Sequence, residues 1–529
     1  MSPARLTLIT SASYVNPELA AEFGRLPSSF LPFGHSRLFQ SQVRDLKAAF
    51  PGEEDRIILT LPASFEPDKW DREWLQNEGV EVLHLPDGLS LSESIKAALI
   101  LGEAKGALGI LHGDTLFLSP IDTMQDMVSV SATTEAYDWG RLAPKGLSGD
   151  QSSTENPSVL TGWFSFAYAT EFLKSLARES TFTDALADYH RDHPLTQVDI
   201  GGWLDFGHLQ TFYKARAKVS TARSVNALSI SEHSVVKSGG KPGKLGAEAA
   251  WFENVPPALR LYFPAFLGQH ENGYRLAYEV SPTLHELYVF GNLGAATWRQ
   301  ILAGCFDFMT VCGGLPELSP FVGSDRDPVV ELVTAKTAGR LSDWSVDRGV
   351  SLDQEWTSAG QKLPSLARIS QITAEIAAKS APIPGVMHGD LCFPNMFYNF
   401  RQGLIKVIDP RGGVVDGEPL VGGDLRDDLA KLNHSLQGYD LILAGRYAMS
   451  GRGSYDVGID VAPPARRWSL SQIAGEFELA GQTVADPAIT AMTIHMFLSM
   501  LPLHADRPDR QDAFLANALR LYSALEQAS

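Results

Sequence analysis

Short apolar runs alternate with stretches of helical spacing through the first part of the chain. Leu6–Thr10, Arg56–Pro62, Val80–Leu85 and Leu108–His112 are strand-length runs, and Ser92–Leu101 places its apolar residues at helical intervals. Strand–helix alternation of this kind predicts a parallel sheet covered on both faces. Ligands of such sheets sit at the carboxyl ends of the strands, and Asp114 falls just past the end of the fourth run.

The pattern then changes. A polar, turn-rich stretch from Ala217 to Asn226 separates the first part from the rest, and we place a domain boundary there. Ser234–Lys237 reads as a strand, followed by a Gly/Lys loop from Ser238 to Gly246. A helix beginning near Leu245 carries Glu248, Trp251 and Phe252 and is stopped by Pro256-Pro257. Tyr274–Val280 alternates like a strand. Beyond it helical spacing dominates: residues 366–378 set Ile369, Ile372 and Ile376 on one face, and Ile473–Leu525 is mostly helical.

Bulk properties narrow the picture. A chain of 529 residues is too long for one core and predicts two or three domains. A hydrophobic content of 44% with 20% charged residues is that of an ordinary soluble protein. The formal net charge of -18 argues against nucleic acid or an anionic membrane as a partner. No apolar run is long enough to span a bilayer, and the N-terminal apolar run is too short for a signal peptide. Cys305, Cys312 and Cys392 form neither a zinc pattern nor a disulfide framework, which fits a cytoplasmic location.

Candidate chemistry concentrates between residues 386 and 411. There Val-Met-His-Gly-Asp-Leu-Cys-Phe-Pro-Asn-Met is followed, after a spacer, by Ile-Lys-Val-Ile-Asp-Pro-Arg. A tight hairpin would bring Asp390, Asn395 and Asp409 together. An aspartate facing a hydroxyl, with an amide and a second carboxylate able to hold Mg²⁺, is the minimum equipment for phosphoryl transfer from ATP. His388, Gly389, Asp390, Asn395, Ile408 and Asp409 together resemble the aminoglycoside phosphotransferase and choline kinase family, whose fold is related to protein kinases. The resemblance implies that Asp390 is the catalytic base, that Asn395 and Asp409 hold Mg²⁺, and that His388 braces the loop. It also implies nucleotide-binding roles for Lys237, paired with Glu248 eleven positions on, and for the hinge around Glu279. A glycine-rich phosphate loop is missing before Lys237, so Asn226–His233 would form the covering hairpin, with Lys241 and Lys244 as rival phosphate contacts. Asp424 or Asp428 would fix the catalytic loop. His434, Tyr439, Trp468 and His504 are available to an acceptor pocket, with core packing as their alternative role.

A second signature lies in the first half. Ile110–Phe117, with Gly113-Asp114, and Gly202–His208, with Trp203-Leu204-Asp205-Phe206-Gly207, resemble elements of sugar-phosphate nucleotidyltransferases. The resemblance implies that Asp114 and Asp205 hold Mg²⁺ while a phosphate attacks the α-phosphorus of an NTP. Thr161–Phe166 would be a strand over the sugar. The glycine-rich loop of that family is replaced by Ser11–Pro17, and Ser28-Ser29 stands where a lysine is expected. Arg25 or Arg37 would then supply the cation.

The resulting expectation is a multidomain α/β and α+β protein. A Rossmann-like, GT-A type nucleotidyltransferase-like domain (1–224) precedes a bilobal protein-kinase-like domain (225–529; small lobe about 225–290, helical large lobe about 291–529). The expected function is bifunctional. ATP phosphorylates a hydroxyl of a sugar, polyol or amino alcohol, and the product is activated with a second NTP, CTP or another, toward capsule or surface-polysaccharide precursors. Mg²⁺ serves both sites, and the partner is a small-molecule substrate. Three alternatives stand beside this: a first half that binds without turnover, a first half that is a glycosyltransferase, and a noncatalytic scaffold.

Overall fold

The computed structural model of the chain describes residues 5–528 except 53–54, 136, 138, 141–157, 220–226, 232, 240–241, 272, 321–327, 412, 416–417, 454 and 462–468. It divides into two compact units, Met1–Val219 with Phe290–Asn292, and Ser220–Val289 with Leu293–Ser529. Asn226, Lys241 and Trp468 lie outside the described residues.

The first unit is built on a seven-stranded sheet. Its strands run, edge to edge, Thr196–Val198, Met127–Ala132, Ser158–Phe166, Leu108–His112, Leu6–Thr10, Arg56–Pro62 and Val80–Leu85. The last four are mutually parallel, in registers such as Leu8↔Ile58 and Leu8↔Ile110. The expected parallel pairing holds for those four strands, but the complete sheet is mixed, because Ser158–Phe166 runs antiparallel to both of its neighbours. An antiparallel neighbour needs no crossover helix, and strand direction leaves no mark in the spacing of apolar residues. Trp163, Phe164 and Phe166 on that strand are fully buried. Helix Leu91–Leu101 is started by Ser90, whose hydroxyl accepts from the Glu93 N–H while the Glu93 side chain returns to the Ser90 N–H.

The second unit opens with an antiparallel sheet ordered Ala227–Ile230, Ser234–Ser238, Gly273–Ala277, Phe266–His270. Helix Pro242–Asn254 accompanies it, and Trp251, Phe252, Phe263 and Tyr274 form the aromatic packing between them. The remaining unit is mainly helical. Pro487–Met500 is its centre: apolar nearly all round and buried on every side, it reads as a helix without a solvent face. Helices Pro328–Arg348, Leu366–Ala377, Leu425–His434 and Pro508–Ala528 pack around it. In Leu366–Ala377 the buried stripe is Leu366, Ile369, Thr373 and Ala377, whereas Ile372 and Ile376 are only half-buried. Thr373 takes the core position because its hydroxyl donates to the Ile369 carbonyl at 2.7 Å and so is satisfied inside the helix.

Among the described residues no helix is long and apolar enough to cross a membrane.

Candidate functional site

In the second unit, strand Pro384–Val386 pairs antiparallel with Gly422–Asp424. The loop 387–395 leaves the first strand, and helix Leu425–His434 leaves the second. This pairing sets Asp428, in the first helical turn, beneath the loop. Its fully buried carboxylate accepts from the His388 N–H at 2.8 Å and from the Gly389 N–H at 2.7 Å. Burial and the charge of Asp427 raise Asp428 to about 8, while the two N–H donors oppose that rise. Asp424 has another task, capping helix Leu425–His434 and pairing with the buried Arg426. Gly389 sits at φ +77°, a left-handed turn that a side chain would strain.

His388 is buried. Its Nε2 lies 3.0 Å from the Ile408 carbonyl, and its Nδ1 accepts the Asp390 N–H at 3.2 Å. Burial lowers it to about 4, so the neutral ring ties the loop to the following strand. The Asn395 Nδ2 group donates to the Asp390 carbonyl at 2.9 Å, and the Ile408 N–H donates to the Asn395 carbonyl at 3.0 Å. Asn395 and Asp409 therefore stand at the open end of hairpin Met396–Asn399/Leu404–Val407. Asp409 adopts φ +60°, a conformation that a non-glycine residue holds at an energetic cost and that is frequent at functional sites.

Lys237 is 5% exposed. Its ammonium lies 2.7 Å from Glu248 and 2.9 Å from Asp409. Burial works against the charge, but Asp409 and Glu248 outweigh it and hold the lysine protonated above its ordinary range. Glu248 also accepts from the Tyr274 hydroxyl at 2.9 Å. Lys244 approaches Glu248 at 3.6 Å from the surface. Glu279 lies beyond the end of its strand, which stops at Ala277 rather than at Val280, and it accepts the Ser281 hydroxyl at 2.6 Å.

Asp390 is held by Lys431 at 3.0 Å and Arg411 at 3.3 Å. Burial alone would raise its carboxyl; these two cations outweigh burial and hold it well below the usual carboxylate range. Neither cation was among the site residues expected from sequence. Lys431 follows Asp427 by four positions, and that helical spacing was the signal available for it. His434 and Tyr439 stack on one another within a core that includes Phe497 and Phe514. His504 joins the same core against Phe514.

The Asn395 Oδ1 atom and the Asp409 carboxylate are hard oxygen donors suited to Mg²⁺, and the Asn395 amide nitrogen is already engaged, which leaves its oxygen for an ion. Among the described residues no group of three or more His, Cys, Asp and Glu side chains is arranged to hold a metal. Such a site would have to be completed by ligand oxygens and water.

In the first unit, Leu108–His112 turns at Gly113-Asp114 into Thr115–Phe117, which pairs antiparallel with Trp203–Asp205. Both aspartates converge on Gly207. A Cβ placed there would stand 2.6 Å from Asp114 Oδ2 and 3.3 Å from Asp205 Oδ1. Burial, followed by the Asp205 charge, raises Asp114 to about 7. Asp205 accepts from Thr211 and lies 3.0 Å from His208 Nδ1. Its hydrogen bond raises His208 despite burial, and that ring stacks on Tyr137.

The two candidate cations lie elsewhere. Arg37 is buried and pairs with Asp71 at 3.1 Å and Asp68 at 3.9 Å, a structural ion pair. Arg25 is exposed, stacks on Tyr14 and lies 3.6 Å from Asp87. Ser29, in the stretch where a lysine was expected, donates both its N–H and its hydroxyl to Ser11 Oγ. Among the described residues no lysine or arginine pairs with Asp114 or Asp205.

No protein-family model and no curated protein sequence matches the chain. Solved structures give distant matches. An apo UDP-glucose pyrophosphorylase is 13% identical with a TM-score of 0.31, over 40% of this chain and 97% of that one. The inositol-1-phosphate CTP transferase from T. maritima is 15% identical with a TM-score of 0.30, over 42% and 98%. A UTP-bound UGPase from Acinetobacter baumannii is 16% identical with a TM-score of 0.30, over 41% and 92%.

Proposed function

We propose that the second unit transfers the γ-phosphoryl group of ATP to a hydroxyl of a small metabolite and that it has a protein-kinase-like fold. One observation carries this reading: Lys237 bonds Glu248 and Asp409 at once, and Asp409 shares a hairpin end with Asn395, one loop from Asp390. Lys237 would neutralise the nonreacting phosphates, with Glu248 fixing its ammonium. Asn395 and Asp409 would hold Mg²⁺, which supplies charge neutralisation across the phosphates when bound. Glu279 belongs to the segment that would face adenine.

Asp390 would accept the hydrogen bond of the acceptor hydroxyl. A carboxylate held below its usual range is a weak base, so its main contribution is orientation and it takes the proton late. The new bond joins the hydroxyl oxygen to the γ-phosphorus. The bond from that phosphorus to the β,γ-bridging oxygen breaks, ADP leaves, and the proton passes through Asp390 to solvent.

For the first unit we propose nucleotidyl transfer to a phosphate, supported by the convergence of Asp114 and Asp205 around Gly207. With Arg37 held by Asp68 and Asp71, Arg25 is the remaining candidate among those expected to meet the phosphates, and His208, whose protonated form is favoured by Asp205, lies beside the carboxylates. Two variants of the full chain test the pair of assignments. Asp390→Ala should abolish ATP-dependent phosphorylation while sparing pyrophosphate release from NTP and a presupplied sugar phosphate. Asp114→Ala should do the reverse. Loss of both activities in each variant rejects the two-site assignment, and absence of pyrophosphate release in the parent chain reduces the first unit to a binding module.

A further inference from the structure

The cavity beside Asp390 is lined by Lys336, Arg340, Arg411, Lys431 and Asp427. Two of the cations, Arg411 and Lys431, hold Asp390. The other two are not in direct ion pairs among the described residues: Lys336 feels Asp427 across the cavity without a salt-bridge contact, and Arg340 donates to the Ser499 carbonyl at 2.9 Å. Four cations against Asp427 and Asp390 leave an excess of positive charge where an acceptor would lie. His495 adds a neutral polar group. It is fully buried and lines the cavity, its Nε2 lies 2.9 Å from the Thr373 hydroxyl, and its Nδ1 has no hydrogen-bond partner among the described residues. Among the described residues no phenylalanine, tyrosine or tryptophan lines the cavity, and those residues offer no aromatic cage for an ammonium group.

From this geometry we infer that the acceptor is an anionic hydroxy compound, a carboxylate- or phosphate-bearing sugar or polyol, whose anion sits on Lys336 and Arg340 while its hydroxyl meets Asp390. This rests on the phosphotransferase reading of the site and names its substrate class. Charge complementarity carries it: like cations crowded into a partly buried cavity repel, and an anion relieves that repulsion. Burial first, then the charges of Arg411 and Lys431, lower Lys336 to about 8 against the opposing pull of Asp427, the direction such crowding produces. Amino alcohols and amino sugars would bring a fifth cation into the cavity and are disfavoured.

The test uses the full chain loaded with Mg²⁺ and a nonhydrolysable ATP analogue, which occupies the Lys237 site. Orthophosphate is titrated calorimetrically into the parent chain and into Lys336→Gln and Arg340→Gln. Saturable binding weakened at least about tenfold in either variant supports the inference, since a charge-assisted hydrogen bond is of that size. Binding that is absent in the parent, or equal in all three, overturns it. A kinetic arm separates the two anions: glucose, glucosamine, glucuronate and glucose 6-phosphate are compared as acceptors with ATP. Preference for glucuronate or glucose 6-phosphate supports a carboxylate or a phosphate, respectively. Preference for glucose or glucosamine overturns the anionic acceptor and leaves the phosphotransferase standing. Failure of the ATP analogue to bind, with no change on Asp409→Ala, overturns the phosphotransferase reading itself.

Discussion

Replacing Asp428 with alanine strips two buried backbone N–H groups, those of His388 and Gly389, of their acceptor. An unsatisfied buried donor costs about 1–3 kcal/mol, so the pair sets a scale of about 2–6 kcal/mol for the loop that carries Asp390. Part of that is returned. Burial and Asp427 already disfavour the ionised Asp428 carboxyl, and removing it relieves that strain. The net expectation is therefore in the lower half, about 2–4 kcal/mol. Hydrogen exchange at the amides of His388 and Gly389 measures this locally. A loss of 2–4 kcal/mol lowers protection by roughly 30- to 1,000-fold, since about 1.4 kcal/mol is a factor of ten. Asp428→Asn keeps one acceptor oxygen and should lose about half of that free energy. Binding of the ATP analogue, set by Lys237, should change by less than about threefold. Unchanged protection in Asp428→Ala would refute the view that this carboxylate holds the loop that carries Asp390.

Three further outcomes follow from the two sites. Lys237→Ala leaves Glu248, 2% exposed, without its buried cation; urea unfolding of the second unit should show a loss of about 3–5 kcal/mol together with lost ATP binding, and a change under about 1 kcal/mol would contradict the buried pair. Gly207→Ala should push the Asp114 carboxylate aside and remove divalent-ion binding by the first unit while ATP-dependent phosphorylation continues, read by titration with Mn²⁺. Asp114, raised to about 7 in the fold, binds its proton more tightly there than in the unfolded chain. Its contribution to stability is complete below its ordinary value near 4 and is lost as pH rises through about 7. Thermal unfolding in EDTA should therefore weaken less between pH 5 and 8 in Asp114→Asn than in the parent, and equal slopes would contradict the raised carboxyl.

The order of apolar runs determined the four parallel strands, Leu6–Thr10, Arg56–Pro62, Val80–Leu85 and Leu108–His112, because each is a short apolar run; three are almost wholly buried, and the edge strand Val80–Leu85 is buried at its two ends. Local sequence likewise carried Asp390, Asn395 and Asp409, since a hairpin turns a short spacing into proximity. The pairing of Lys237 with Glu248 was legible for the same reason, a strand followed at once by a helix. Strand direction at Ser158–Phe166 and the choice of Asp428 over Asp424 as the loop's acceptor were not legible, because they depend on partners distant along the chain. The sequence by itself held the aspartate proposed to meet the acceptor and the candidate metal ligands. The cationic cavity was decided only by tertiary structure, because Lys336, Arg340, Arg411, Lys431 and His495 come from separate segments that gain a common neighbourhood when helices pack around Pro487–Met500.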